Sequence, residues 1–184
     1  WQTIAIGRRK MKFVQGLEVS ILPNDEYSTL ARDNRLKWLK KELTLKRTDA
    51  EIAAKWNAEI DALESSYTVD AFASVLIAQN NDGLNSLIEI YNSCEKYGDK
   101  WCAKNDFIFE HANGLICVLT KKSKAEWLYS HGFEEESKRE LEEYLHAFGD
   151  VFFVAVEQGS DVGFVKMAKE FGVNLVASND VQSA

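Results

Sequence analysis

The sequence predicts one α+β or α/β domain over residues 1–184, in which a helical amino-terminal half precedes a mixed central sheet. Three observations predict this fold class. Apolar residues recur every three or four positions through residues 24–97, which is typical of helices. From residue 106 to residue 178 the period falls to two. The chain then closes in the order strand, turn, helix, glycine, strand, which is typical of a βαβ unit.

The first predicted elements are extended. Gln2–Gly7 and Lys12–Leu22 have strand character and are separated by the basic residues Arg8–Lys10. After Pro23 the period lengthens, and Asn24 or Asp25 is expected to cap a helix that ends near Leu45.

Three more helices are predicted in the helical half. Thr48 and Glu51 have the spacing of a capping box at the start of the second helix. The third begins at Thr68 or Asp70, ends near Ala78 and is almost entirely apolar, so it is expected to be the most buried. The fourth is expected over Leu84–Tyr97.

The carboxyl-terminal half is predicted to begin with a β-hairpin. Phe107–His111 and Leu115–Thr120 flank Asn113-Gly114, a pair typical of a two-residue hairpin turn. The remaining elements are two helices and two strands, and the first of those strands is expected to be covered on both faces because it is continuously apolar. They are Glu134–Phe148, Val151–Val156, Val162–Phe171 and Val173–Ala177.

Composition favours a cytoplasmic protein. No apolar run is long enough to cross a membrane, and no secretory signal stands at the amino end. The three cysteines, Cys94, Cys102 and Cys117, are too few and too irregularly spaced for a disulfide framework, so free and mostly buried thiols are expected.

The net charge of −7 is unevenly distributed. Residues 1–50 carry eleven basic and six acidic side chains, whereas residues 51–184 carry eleven basic and twenty-three acidic ones. This asymmetry either neutralises itself within the fold or attracts a charged partner. A nucleic-acid interface would use the basic side chains of the first third: Arg8, Arg9, Lys10, Lys37, Lys40, Lys41, Lys46 and Arg47.

Several common kinds of site are not predicted. The chain lacks a GxxxxGK[ST] loop and a GxGxxG fingerprint, and its three histidines do not have metal-ligand spacing, so no metal is expected. The acidic run from Glu134 to Glu143 is interpreted as a solvated helix face whose first glutamates favour the helix dipole.

The element order, with Leu115–Thr120, Glu134–Phe148 and Asp150–Glu157 followed by Gly159–Val173, resembles the GNAT family of acyl-CoA-dependent N-acyltransferases. Within that family it is similar to the acetyltransferase-like internal proteins of phages. The likeness covers about 65 residues and implies a phage or mobile-element origin, with the order β-α(n)-β-β-α-β-α-β. The family's phosphate-binding loop is represented in Lys121–Phe133 by one glycine, Gly132.

The resemblance implies an acetyl-CoA site that opens the sheet between Leu115–Thr120 and Val151–Val156. The residues implied for the cofactor are Leu119, Thr120, Lys122, His131 and Gly132, and the amides of Gly132–Glu135 could bind its phosphates. Glu157 and Tyr129 are the candidate catalytic acid and base. A catalytically inert descendant of the family is the other form of this hypothesis.

Two further hypotheses assign no chemistry to the chain. One is a binding protein that contacts nucleic acid through its basic amino-terminal third, or a basic partner through its acidic carboxyl-terminal face. The other is an assembly protein that associates with itself through the faces carrying Trp38, Trp56 and Phe72.

Overall fold

The computed structural model describes residues 14–23, 25–44, 49–65 and 70–178. Those residues form an α+β fold with one seven-stranded mixed sheet. No helix among them is long and apolar enough to cross a membrane. The sequence-derived assignments to Gln2–Gly7, Arg8–Lys10, Asn24, Lys46, Arg47, Thr48 and Thr68 lie outside the described residues.

The helices and strands follow one another along the chain in a mixed order. The first part contains β1 (Gln15–Ile21), α1 (Asp25–Thr44), α2 (Ala50–Ser65), β2 (Phe72–Ala78), α3 (Asn81–Ser93), β3 (Glu95–Tyr97) and β4 (Lys100–Ala103). The second part contains α4 (Asn105–Glu110), β5 (Leu115–Leu119), α5 (Lys124–Ser130), α6 (Glu134–Phe148), a 3₁₀ turn (Gly149–Val151), β6 (Phe152–Val156), α7 (Val162–Glu170) and β7 (Asn174–Ala177).

The strands are arranged across the sheet in the order β3-β4-β1-β2-β5-β6-β7. The pairs β1–β2, β2–β5 and β3–β4 are antiparallel, whereas β1–β4, β5–β6 and β6–β7 are parallel. The βαβ unit predicted for the carboxyl-terminal half is therefore confirmed, since α7 connects the parallel strands β6 and β7. Helices α5 and α6 connect β5 to β6 in the same way.

The core lies on one face of the sheet. Alternate residues of the strands, such as Val19, Leu76, Cys117 and Val154, cluster with buried side chains of α1 and of α3 to α7. On the opposite face Val75, Ile77, Ile116, Val118 and Phe153 are half-buried. Burial on both faces was predicted for Val151–Val156, and this is wrong for Phe153 and for Val156, which is 39% exposed.

Helices α1 and α2 form a hairpin with a small core of its own, built on Leu39, Ile60 and Leu63. Trp38 and Trp56 pack edge-to-face at 5.5 Å across it. Arg35 binds both carboxylate oxygens of Glu59, at 2.7 and 3.1 Å, and Lys40 lies 2.8 Å from Glu64. Part of the basic charge of the first third is therefore neutralised within the fold.

The third predicted helix is wrong. Residues 72–78 form β2, which lies between β1 and β5. A continuous apolar run of seven residues suits a central strand as well as a short buried helix, so period alone cannot separate the two. Phe72 is 3% exposed, so it cannot contribute to the self-association surface that was predicted for Trp38, Trp56 and Phe72.

The hairpin predicted around Asn113-Gly114 is also wrong. Residues 105–110 form the short helix α4, whose Ile108 is fully buried, and β5 pairs with β2 and β6 instead. The φ angle of Gly114 is 74°, whereas no residue other than glycine has positive φ among the described residues, so a two-residue turn of type I′ is absent there. The fourth predicted helix ends at Ser93, and Glu95–Tyr97 form the edge strand β3.

The turn at Gly114 is held against the start of α3. The Asn80 side chain caps α3 by accepting a bond from the Gly83 amide at 2.9 Å, and the Gln79 amide donates to the Gly114 carbonyl at 2.9 Å. A Cβ atom at Gly83 would overlap the Gly114 carbonyl oxygen. That oxygen belongs to the backbone, so it cannot relieve the overlap by a change of rotamer.

Replacement of Gly83 by alanine is expected to lower the free energy of unfolding by about 2–3 kcal/mol, because α3 must move away from the turn. Gly163→Ala is a matched control in the first turn of α7. Its Cβ would meet the hydroxyl end of Tyr129 at 2.5 Å, a side chain that can move. Urea denaturation should show a much larger loss for Gly83→Ala, and equal losses would contradict the packing argument.

Candidate functional site

The carboxyl ends of the parallel strands β5 and β6 carry the candidate site. In sheets of this kind the loops that follow neighbouring parallel strands meet at one edge, where ligands commonly bind. Here the loop after β5 leads into α5, and the loop after β6 leads into α7. The loop after β5 supplies basic side chains, and the loop after β6 supplies the acidic side chains Glu157 and Asp161.

Glu126 is the central residue of this region. It is 6% exposed and lies in the first turn of α5. Its Oε1 atom accepts a bond of 2.7 Å from the Asp161 amide, which ties α5 to the loop after β6. Its Oε2 atom is buried and has no hydrogen-bond partner among the residues that the structure describes. A buried carboxylate oxygen without a partner is costly, so its presence requires an explanation.

The surroundings of Glu126 disfavour its negative charge. Burial raises the pKa of Glu126, and the nearby negative charges of Asp161 and Glu157 raise it further. The bond from the Asp161 amide and the positive charge of Lys121 act in the opposite direction. The net result is a carboxyl group that takes up a proton more readily than an ordinary glutamate.

Asp161 organises the loop after β6. Its side chain caps α7 by accepting bonds from the amides of Gly163 at 2.8 Å and Phe164 at 3.1 Å. The Ser160 hydroxyl accepts a bond of 3.2 Å from the Glu157 amide within the same loop. The bonds to Gly163 and Phe164 fix the position of the negative charge of Asp161 near Glu126. No group of His, Cys, Asp and Glu side chains that could hold a metal ion is found among the described residues.

Tyr129 links this region to a cleft. It lies one helical turn after Glu126 on α5, and its hydroxyl lies close to Gly163 on α7. The cleft has a volume of about 570 Å³ between α5, α6 and α7. Four of its eight lining residues are charged, and the eight are Tyr129, Glu134, Lys138, Gly163, Lys166, Met167, Glu170 and Phe171.

The structure places the two predicted catalytic residues, Tyr129 and Glu157, near Glu126. The residues predicted for a cofactor are not gathered in one place. Leu119 is 1% exposed in the core, and Thr120 accepts a bond from the Lys122 amide in the turn after β5. Lys122 is exposed and its Nζ lies 3.4 Å from Glu18 on β1.

His131 and Gly132 lie at the other end of α5, about 10 Å from its start at the rise of an α-helix. The His131 ring stacks on Trp127 at 4.2 Å, and its Nδ1 atom lies 2.8 Å from the Trp127 carbonyl oxygen. The amides of Gly132 and Phe133 donate to carbonyl groups of α5. Two of the four amides in the predicted phosphate site at Gly132–Glu135 are therefore already hydrogen-bonded to α5 and cannot donate to a phosphate.

The two strands between which the resemblance implies a cofactor are paired over three residues each. Cys117, Val118 and Leu119 pair in register with Phe152, Phe153 and Val154. Leu119 is the last residue of β5, so the two strands remain paired up to the end of β5.

The acidic helix α6 is mostly the solvated face that its sequence predicts. Lys138 lies 3.0 Å from Glu134 and 2.9 Å from Glu135, and Arg139 lies 3.1 Å from Glu136. Glu140 is an exception because it is only 4% exposed. Its two oxygens accept bonds from Lys124 at 2.5 Å and from Asn105 at 2.8 Å.

The bonds of Glu140 belong to a buried polar network. The Tyr144 hydroxyl donates to Asn105 at 3.1 Å and lies 3.3 Å from the Ser74 hydroxyl on β2. Burial raises the pKa of both Glu140 and Tyr144. Both oxygens of Glu140 have partners, so we interpret this network as a structural connection between α4, α5, α6 and the sheet.

The cysteines offer no nucleophile. Cys94, Cys102 and Cys117 are free thiols, as predicted, and Cys102 and Cys117 are buried. Burial raises the pKa of all three, which disfavours the reactive thiolate form.

Sequence reasoning missed Glu126 and Asp161. Ser123 and Glu126 have the spacing of a capping box, and the Ser123 hydroxyl does accept a bond from the Glu126 amide at 3.3 Å. The Glu126 carboxylate does not return to the start of its own helix as that motif requires, and it binds the Asp161 amide instead. The sequence shows the capping-box spacing. It does not show that the Glu126 carboxylate binds the amide of Asp161, which lies 35 positions further along the chain.

The sequence matches no protein-family model, and a search of curated proteins finds no similar sequence.

Proposed function

We propose that the protein is a binding protein that holds a cationic group, the protonated amine of its ligand, against Glu126 at the carboxyl ends of β5 and β6. The observation that carries this proposal is the buried Oε2 atom of Glu126, which has no hydrogen-bond partner within residues 14–23, 25–44, 49–65 and 70–178 and lies near two further acidic side chains. An ammonium group supplies both the hydrogen-bond donor and the positive charge that this oxygen lacks.

An anionic ligand is a poorer fit to the same place. The negative charges of Asp161 and Glu157 act on Glu126 with the same sign, and the positive charge of Lys121 opposes them more weakly. A phosphate or carboxylate would meet net repulsion there. The acidic balance of residues 51–184 favours a cation in the same way.

Calorimetric titration with a simple amine such as propylamine tests the proposal. We expect saturable binding that weakens as the pH is lowered from 8 to 5. The amine stays protonated over this range, whereas Glu126, whose pKa is raised, takes up a proton and no longer attracts it. Below the pKa of Glu126 the affinity should fall by about tenfold per pH unit. Binding that is absent, or equally strong throughout this range, would contradict the proposal.

The GNAT-like N-acyltransferase is a second candidate, and the raised pKa of Glu126 favours it. Acyl transfer to an amine requires a base that accepts a proton from the attacking nitrogen, and a carboxyl group with a raised pKa suits that role. Tyr129, one turn further along α5, would serve as the acid. The pairing of β5 with β6 from Cys117 to Leu119 argues against an acyl-CoA molecule wedged between these residues.

Calorimetry with acetyl-CoA separates the two candidates. The binding proposal expects no heat at millimolar acetyl-CoA, with or without propylamine. Saturable binding of acetyl-CoA would favour the acyltransferase, and transfer of the acetyl group to the amine would establish it.

A further inference from the structure

We infer that two copies of the chain associate edge to edge, through antiparallel pairing of β7 with β7 of the second copy. This interaction surface is independent of the proposed amine site, because it uses the outer edge of the sheet. The inference follows from the position of β7, from its lack of charge and from the directions of its backbone groups.

Strand β7 presents an unpaired backbone edge. It is the last strand of the sheet, so within the part of the chain that the structure describes it pairs only with β6. The Ser178 amide donates to the Val156 carbonyl at 3.1 Å. Since successive residues of a strand direct their N–H and C=O groups to opposite sides, Val176 faces β6 as Ser178 does. The backbone groups of Leu175 and Ala177 therefore point away from the sheet, where another strand can pair with them.

The two edges of the sheet differ in their protection against such pairing. Strand β3, at the other edge, carries Glu95 and Lys96, and Glu95 lies 2.9 Å from Lys104 in an ion pair. Charged side chains of this kind are a common protection against edge-to-edge contact. Strand β7 has no charged residue and no proline, and its Leu175 and Val176 are 37% and 38% exposed. Of the two edges, β7 is therefore the one suited to bind a strand.

A second copy of β7 matches this edge because the outward-facing groups are arranged symmetrically. Leu175 and Ala177 lie on either side of Val176. When the second copy is turned about a two-fold axis at Val176, each Leu175 lies opposite the Ala177 of the other copy, and each of these pairs exchanges both of its backbone hydrogen bonds. Val176 then faces Val176 of the second copy in a non-hydrogen-bonded pair, where side chains are closest and β-branched residues pack well.

Sedimentation equilibrium of the native protein from micromolar to millimolar concentration tests the inference. The contact is short, so we expect a weak dimer that forms within this range. Val176→Lys places two like charges directly opposite each other and should weaken dimerisation by about tenfold. Val14→Lys is the matched control and should leave dimerisation unchanged, because Val14 is 73% exposed and lies beside β1, four strands away from β7.

A charge-swap experiment distinguishes this pairing from any other contact between copies. Val176→Lys and Val176→Glu should each dimerise poorly, and an equimolar mixture of the two should recover dimerisation because opposite charges then face each other. That recovery also excludes a folding defect in the single variants. A mixture that stays monomeric, or a native dimer that Val176→Lys leaves unchanged, would overturn the inference. A native protein that is monomeric at millimolar concentration would overturn it too, and would leave this edge to a strand of another protein.

Discussion

Lys124→Met is expected to lower the free energy of unfolding by about 3–5 kcal/mol at neutral pH, because it leaves the Glu140 carboxylate buried without its cation. Lys124 and Glu140 are 2.5 Å apart, with side chains only 16% and 4% exposed. The Asn105 amide would remain as the partner of one oxygen, and it cannot compensate a full charge.

The loss of stability in Lys124→Met should become smaller as the pH falls. Burial already raises the pKa of Glu140 in the native protein, and removal of Lys124 raises it further. The penalty is full above that pKa and disappears as Glu140 takes up a proton, so the difference between variant and native protein should narrow as the pH falls.

Two controls accompany this variant in urea denaturation. The double variant Lys124→Met/Glu140→Gln removes the unpaired charge and should recover most of the lost stability. Lys55→Met removes the exposed pair with Glu51, whose side chains are 72% and 78% exposed, and should change stability by less than about 0.5 kcal/mol. A loss for Lys124→Met no greater than that for Lys55→Met would refute the structural role of the network.

Glu126→Gln is expected to abolish amine binding while it makes the protein more stable. Glutamine keeps an oxygen to accept the bond from the Asp161 amide, and it removes a buried charge that lies near Asp161 and Glu157. The gain should be about 1 kcal/mol at pH 7, within the usual range for substitutions that relieve strained functional groups.

The stability difference between the native protein and Glu126→Gln depends on pH because the pKa of Glu126 is raised. The unfavourable charge is present above that pKa and absent once the carboxyl is protonated. The native protein should therefore approach the stability of Glu126→Gln as the pH falls toward 4.5. Thermal denaturation between pH 7 and pH 4.5, together with propylamine titration, measures both effects.

Glu142→Gln provides the matched control, because Glu142 is exposed on α6 and should alter neither stability nor binding appreciably. A Glu126→Gln protein that is less stable at pH 7 than the native protein, or that binds propylamine equally well, would contradict the role assigned to Glu126.

The sequence predicted the elements whose period is distinctive. Glu134–Phe148 forms α6 with the predicted bounds, and α1, α2, α7 and β7 lie within about two residues of their predicted ranges. The failures have a physical cause. Residues 72–78 are apolar at every position except Ser74, so they have no period to measure, and their partners β1 and β5 are distant in sequence.

The candidate site was predicted only in part, for a related reason. Tyr129 and Glu157 were predicted as catalytic candidates of the resembled family, Glu157 because it follows the strand Val151–Val156, and both lie near Glu126. The unusual state of Glu126 itself arises from burial and from Asp161, which the chain brings to it through α6, β6 and the loop that follows. A local pattern such as Ser123-x-x-Glu126 predicts where the helix starts. It does not predict the contact between Glu126 and Asp161.

The most direct test of the role of Glu126 is the titration of its side-chain carboxyl carbon by ¹³C NMR, with and without propylamine, assigned by comparison with Glu126→Gln. We expect one glutamate resonance whose pKa lies above that of an ordinary glutamate and falls when the amine is added, because the ammonium group stabilises the carboxylate. A pKa that is ordinary, or that the amine leaves unchanged, would contradict the claim that Glu126 binds a cation.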